Sequence, residues 1–196
     1  MNSKLISPYK KIIQYSKIQL KPYQLTSDIE QNMELNLRNK VEKKCNRYGF
    51  IDKVYKIISY EDGEMKRENL SGFIDYKVSY ECKLCIPIEN TLIIANILSI
   101  NQELIMASNG PIIIFIPKNN IDTNIWKYDS NYINKKNDKS IEINNLVKIL
   151  VMKTKINQND THIKVMGKLL DVPTREEIEI YYDENKKNVN EDNFII

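Results

Sequence analysis

Apolar and polar positions alternate longest between residues 74 and 86. Ile74, Tyr76, Val78, Tyr80, Cys82, Leu84 and Ile86 fall on one side, and Asp75, Lys77, Ser79, Glu81, Lys83 and Cys85 on the other. A period of two is what the pleat of a strand imposes, so one long strand is predicted here. A preceding run, KIIQYSKIQL at 11–20, also has strand character and closes at Lys21-Pro22. Between the two the period changes. Ile29, Met33, Leu37 and Val41 recur every four residues with Leu35 off the stripe, which predicts a helix near 27–41. Ser27-Asp28-Ile29-Glu30 has the spacing of a capping box and sets its expected start, with Leu25 part of a staple. A β-rich run through Val54, Tyr55, Ile57, Ile58 and Tyr60 follows, and Asp62-Gly63 marks a turn in the polar loop 61–72.

Beyond Pro87 the texture changes. Strand-like runs occupy 91–99, 103–108 and 112–116, with Asn109-Gly110-Pro111 as a turn; two more cover 146–156 and 162–170. A polar, Asn/Lys-rich insert at 117–145 separates the third from the fourth. Five short strands with that insert fit a five-stranded Greek-key OB barrel. The expected class is therefore α+β: an antiparallel sheet with one helix over residues 1–86, an OB barrel over 87–172, and an acidic tail over 173–196.

Charge adds one feature. Residues 171–196 carry three basic and eight acidic side chains, leaving +8 on residues 1–170 of an overall +3. A basic body with an acidic tail is compatible with a nucleic-acid neighbour. No apolar run approaches the roughly 20 residues of a membrane span, and the first residues lack the apolar core of a signal peptide. Three cysteines, an odd number, argue against a disulfide framework and for a reducing compartment. The expectation is an intracellular chain with no membrane partner.

Cys82-Lys83-Leu84-Cys85 poses a chemical question. Zinc needs four ligands, and only Cys45 and His162 remain to supply more. In a strand, positions three apart face opposite sides, so the two thiols are not expected to share a metal or a disulfide. A redox pair would open a helix, and Ile86-Pro87 does not. Cys82 is expected on the apolar face and Cys85 on the other, near the hand-over to the barrel. No cofactor is expected. His162 has no nucleophile beside it, the carboxylates Glu61, Asp62 and Glu64 crowd a turn, and the scattered glycines form no phosphate cradle. An enzyme has little support.

The ordered series of segments resembles a known family. Leu20-Lys21-Pro22 before a helix is similar to the Leu-x-Pro turn of the RNA polymerase stalk subunit family. Its members are the seventh subunit of the eukaryotic enzymes and the archaeal counterpart. Val41-Glu42-Lys43-Lys44-Cys45 and Tyr48-Gly49-Phe50-Ile51 look like the family's Val-Glu-Gly-x-Cys and aromatic-Gly-aromatic-Ile segments. Ser71-Gly72-Phe73 before the long strand, Gly110-Pro111, Pro117 and Val147-Lys148-Ile149 also correspond, so the likeness covers about 11–170. Three segments depart. Lys43 and Asn90 stand where the family has glycine, and Gln102-Glu103-Leu104-Ile105 replaces a glycine and an aromatic pair in the second barrel strand. Losing aromatic stacking worth about 1–3 kcal/mol per base weakens the expected RNA binding. The Ile/Asn/Lys-rich composition points to an AT-rich source, and with the divergent barrel to a large-DNA-virus version.

The resemblance implies a non-catalytic stalk subunit whose sheet domain docks on core polymerase subunits and whose OB domain faces nascent RNA, with room for a companion stalk subunit. Core docking is then expected from Pro22, from Arg47, Tyr48, Gly49, Phe50 and Ile51, and from Met65, Lys66 and Arg67, though a solvated hairpin would give the last three equally. Trp126, Lys127 and Tyr128 with Lys153, Lys155 and Lys164 are the candidate RNA contacts; a loop pinned to the barrel by its aromatics is the plainer reading of the insert. The alternative function is a free-standing OB protein that binds single-stranded nucleic acid.

Overall fold

The alternating strand becomes the spine of an antiparallel sheet. The structure is a computed structural model and describes residues 4–65, 71–129, 131–135, 138, 140–179 and 181. Strand β5 (Ile74–Cys85) lies between β1 (Tyr9–Leu20) and β3 (Phe50–Tyr60); β2 (Lys44–Cys45) pairs antiparallel with the start of β3 on its far side, and the short β4 (Glu64–Met65) pairs the start of β5. The β1–β5 register runs without a break from Tyr9 opposite Cys85 to Leu20 opposite Ile74.

Helix α1 (Ile29–Val41) covers one face. Its stripe behaves as the spacing requires: Met33 and Leu37 are fully buried, Ile29 and Val41 pack beside them, and Leu35 is exposed. They meet Ile18, Leu20, Val54, Tyr76, Val78, Tyr80, Cys82 and Leu84. Burying each such side chain stabilises the unit by about 1.5–3 kcal/mol. The helix start differs from expectation. Asp28, not Ser27, is the N-cap and makes no side-chain cap; its amide instead donates to Thr26 Oγ1 at 3.4 Å.

Strand β3 contains irregularities between Ile51 and Lys53, Val54 and Lys56, and Ile57 and Ser59. Each bulge lets two residues oppose one. Ile51, Val54, Ile57 and Tyr60, spaced by three, thereby pair Leu84, Cys82, Tyr80 and Val78 in turn. A helix-like spacing is thus accommodated in a strand. Residues Ile156–His162 belong to this compact unit with Tyr9–Ile86. They are joined to β2 by Cys45 N–H donating to the Asp160 carbonyl and Asn159 N–H to the Cys45 carbonyl, both at 2.8 Å.

The second compact unit holds the described residues of Pro87–Lys155, of the segment ending at Pro8, and from Ile163 onward. Its strands β6 (Leu92–Ile100), β7 (Leu104–Asn109), β8 (Ile112–Pro117), β11 (Leu146–Lys155) and β12 (Ile163–Asp171) close into a barrel in the order β11-β12-β8-β7-β6. All neighbours are antiparallel except β8 and β12. Closure leaves no sheet edge. Small and branched side chains fill the interior, among them Ala95, Ala107, Ile114, Val147, Ile149 and Val165. Gly167 is required there, since a Cβ would lie 2.4 Å from Ile149 Cγ2. The insert contributes a hairpin, β9 (Trp126–Asp129) with β10 (Asn131–Asn134).

After Pro173 the chain turns helical over 175–179. The acidic composition of the tail gave no hint of this, but Thr174 and Glu177 carry the signal. Thr174 N–H donates to Glu177 Oε2 at 2.8 Å and Glu177 N–H to Thr174 Oγ1 at 3.4 Å, a reciprocal capping box.

Candidate interaction surfaces

One cluster of predicted docking residues is a turn. Asn46 organises it, its Oδ1 accepting from the amides of Tyr48 at 2.8 Å and Gly49 at 3.1 Å while its Nδ2 donates to Gln14 Oε1 at 2.7 Å. The Arg47 guanidinium lies 4.5 Å from the centre of the Tyr48 ring and also donates to its hydroxyl. The Tyr48 ring is about half exposed. Gly49 allows close approach, because a Cβ would stand 2.5 Å from the Cys85 carbonyl oxygen. Phe50 and Ile51 are buried and support the turn from beneath. Arg47 and Tyr48 are the exposed side chains of this turn.

Pro22 and Met65 lie elsewhere. Pro22 opens a 3₁₀ turn (Pro22–Gln24) closed by Lys21 N–H donating to Gln24 Oε1 at 3.0 Å. Met65, 58% exposed, sits opposite Ile74, as does Leu20 at the end of β1. The Tyr48 turn adjoins the other end, where Phe50 is opposite Cys85. Eleven residue steps along β5 at about 3.3 Å separate the two ends by roughly 35 Å. The predicted docking residues therefore form two groups at opposite ends of one sheet, not a single patch. Lys66 and Arg67 lie outside the described residues.

The face of the sheet away from the helix carries a charged lattice that alternation alone did not single out. Lys11 pairs with Glu81 at 3.1 Å, Lys17 with Asp75 at 3.1 Å, and Lys43 with Asp52 at 2.7 Å. Lys11 also lies over the Tyr55 ring and Lys83 over the Tyr9 ring, at 4.8 and 5.1 Å. Flanked on both sides, Asp75, Ser79 and Lys83 of the central strand are buried although polar. Tyr15 stands out from this face, 82% exposed, above a groove of about 360 Å³ lined by Lys17, Ser59, Lys77 and Ser79. Its signal in the sequence was an outward-facing aromatic in β1.

On the barrel, the aromatics of the insert follow the plainer reading, a loop held against the barrel. Trp126 is 2% exposed, and its indole N–H donates to the Leu170 carbonyl at 3.3 Å. Tyr132 is buried, with its hydroxyl on the Gln102 carbonyl at 2.7 Å. Tyr128 packs edge-on against Tyr132 at 5.0 Å and remains partly exposed, beside the exposed Lys127. The aromatics pin the hairpin to the barrel. Lys153, Lys155 and Lys164 do come together: Lys155 is opposite Lys164 and Lys153 opposite Met166 on adjacent strands.

The three cysteines are buried and form no disulfide with one another. Burial pushes Cys82 up to about 11, with Glu81 adding to the rise. Burial raises Cys85 further, with Asp52 and Cys45 contributing, and raises Cys45 beside Asp160. Such thiols are poor nucleophiles and poor metal ligands at neutral pH. Cys82 lies in the cluster under the helix with Tyr80 and Leu84, as the alternation predicts. Among the described residues no group of three His, Cys, Asp or Glu side chains could hold a metal, and no helix is long and apolar enough to cross a membrane.

No family model matches the chain. A relative does: a protein of Acanthamoeba polyphaga mimivirus, named as a putative DNA-directed RNA polymerase subunit, is 36% identical over 177 residues, which is 90% of this chain and 89% of its own length. The chain belongs to this family of DNA-directed RNA polymerase subunits. The match is long enough to take in both units of this polymerase-subunit fold. Its viral relative also fits the composition.

The backbone explains how a polymerase-subunit chain tolerates two of its departures. Lys43 has φ +57° and Asn90 φ +63°, the left-handed region that glycine occupies without strain. Lys43 N–H donates to the Ile51 carbonyl at 2.8 Å and Asn90 N–H to the Val151 carbonyl at 2.8 Å, so the turns persist without the glycines.

Proposed function

We propose that this chain is a non-catalytic stalk subunit of a DNA-dependent RNA polymerase. The sheet unit docks on the core enzyme, and the OB barrel stands near exiting RNA. One observation carries the reading: a helix-covered antiparallel sheet and a closed five-stranded barrel lie in one chain of the polymerase-subunit family. Core docking uses the two sheet ends, Arg47 and Tyr48 at one and the Pro22 turn with Met65 at the other. Lys66 and Arg67 adjoin Met65 in sequence. Two well-separated contacts suit a rigid wedge, because they adjoin the two ends of β5, whose register with β1 is unbroken. The site of action is intracellular, in virion or host cytoplasm for a viral enzyme.

The test is association of the full chain with core polymerase after substitution at each end. Arg47→Glu with Tyr48→Ala, and separately Met65→Asp, are each expected to weaken association by tenfold or more, about 1.4 kcal/mol. Retention of full association by both would refute this docking.

A second reading rests on the lysine group of β11 and β12: a free-standing protein that binds single-stranded nucleic acid. It requires affinity in the isolated chain that falls steeply with salt. The burial of Trp126 and Tyr132 removes two stacking surfaces and favours the stalk reading.

A further inference from the structure

Strand β1 is the outer edge of its sheet, pairing with β5 alone. Lys17 stands opposite Lys77, whose carbonyl turns away from β1 to accept from the Glu61 amide at 2.9 Å. In an antiparallel pair of that kind both residues direct their backbone groups away from each other, so Lys17 faces the open edge. Alternation puts the backbone groups of Lys11, Ile13, Tyr15 and Gln19 on the same edge. Part of it is closed by the helix. Lys40 donates to the Lys17 carbonyl, and Asn36 Nδ2 donates to the Gln19 carbonyl at 2.9 Å. Among the described residues nothing bonds the outward N–H and C=O groups of Lys11, Ile13 and Tyr15. A row of unpaired backbone groups is a template for another strand.

We propose that an extended, acidic segment of a partner protein pairs with the stretch from Lys11 to Lys17 as an added strand. On the outer face its side chains meet Lys11, Ile13, Tyr15 and Lys17 in turn. The fitting pattern is therefore acid, apolar, apolar, acid at alternate positions. Ile13 and Tyr15 are exposed on that face and gain burial from the added strand. Charge selects the acidic occupant. Lys10, Lys11, Lys17 and Lys40 border the edge, and the two carboxylates facing it, Glu81 and Asp75, are taken by Lys11 and Lys17. Those two lysines keep 59% and 43% of their side chains exposed, and an ammonium carries three donors, which leaves donors for a second carboxylate. Past Tyr15 the added strand runs into a groove of about 620 Å³ lined by Lys17, Gln19, Asn36, Asn39, Lys40 and the paired Asp75. A second copy of this chain fits worse. Pairing β1 with itself about Gln14 sets Lys11 of one copy against Lys17 of the other, and like charges directly opposite destabilise a strand pair.

The inference is independent of the polymerase reading and is tested on the full chain alone. The probe is the peptide acetyl-Glu-Thr-Val-Thr-Val-Thr-Glu-amide, with a control peptide carrying lysine at both ends. At millimolar acidic peptide, amide hydrogen exchange at Lys11, Ile13 and Tyr15 should slow by about tenfold or more, with exchange in α1 unchanged. The control peptide should slow it far less. Ile13→Pro removes an outward N–H at an edge position, where proline is tolerated, and should abolish the slowing at Lys11 and Tyr15. Lys11→Glu with Lys17→Glu leaves the backbone groups in place and should reverse the preference toward the lysine-ended peptide. Exchange at these amides that ignores the acidic peptide would overturn the proposal. So would equal slowing by the two peptides, which would remove charge as the selecting feature. Slowing that grows with protein concentration in the absence of peptide would assign the edge to a second copy instead.

Discussion

Glu177 Oε1 lies 2.6 Å from Lys148 Nζ, tying the segment after Pro173 to strand β11 of the barrel. Both side chains are mostly buried. Burial alone would raise the Glu177 pKa, but the Lys148 hydrogen bond, the Thr174 amide and the nearby charge hold it below its ordinary value. A carboxyl with a depressed folded pKa contributes stability above its unfolded pKa, and that stability is lost as pH falls through the folded value.

Glu177→Gln should therefore cost about 1.5–3 kcal/mol at pH 7, the range for a hydrogen bond to a charged group. The gap between wild type and variant should close as the pH drops below the ordinary glutamate range. Thermal melting from pH 7 to pH 3 reads both. A constant gap would show that the carboxylate charge is not what matters.

Lys43 adopts a backbone conformation that costs a side chain about 1–2 kcal/mol. Its ion pair with Asp52 complicates a direct comparison with wild type. Lys43→Gly and Lys43→Ala both remove that pair, and only the alanine keeps the strain. Urea denaturation should find the glycine variant more stable by about 1 kcal/mol.

Alternation was enough to find β5, and a stripe of four was enough to find α1, because each element buries one face and its residues must repeat at the matching period. Strand β3 was only partly readable, since its bulges are set by pairing with β5 and leave Ile51, Val54 and Ile57 three apart. The caps misled in both directions: Ser27 makes no box, while Thr174 makes one inside an acidic stretch. At the sites, the lysines of β11 and β12 were legible as outward strand positions. For Trp126 the sequence left two readings open, the pinned loop the plainer one, because a buried aromatic and a stacking platform share one sequence and differ only in what lies above them. Nor could the sequence separate Tyr48 from Met65, whose distance is a matter of register.

Trp126→Ala should cost about 3–5 kcal/mol of barrel stability, as expected for a buried aromatic whose N–H is bonded. Trp126→Phe keeps most of the volume and should cost less. Salt-dependent binding to RNA should be unchanged in the phenylalanine variant. A selective loss of RNA affinity at intact stability would return Trp126 to a binding role.

Cys45, Cys82 and Cys85 should be silent toward a thiol reagent in the native protein at pH 8 and react together on unfolding. Fast reaction of even one thiol in the folded chain would contradict the burial found for all three.

The central claim is tested most directly by affinity purification of the tagged full chain from cells in which its polymerase is made, with the co-purifying proteins quantified by mass spectrometry. The account predicts the largest core polymerase subunits in near-stoichiometric amount, reduced at least tenfold by the Arg47→Glu, Tyr48→Ala variant. Recovery of the folded chain without core subunits would contradict it.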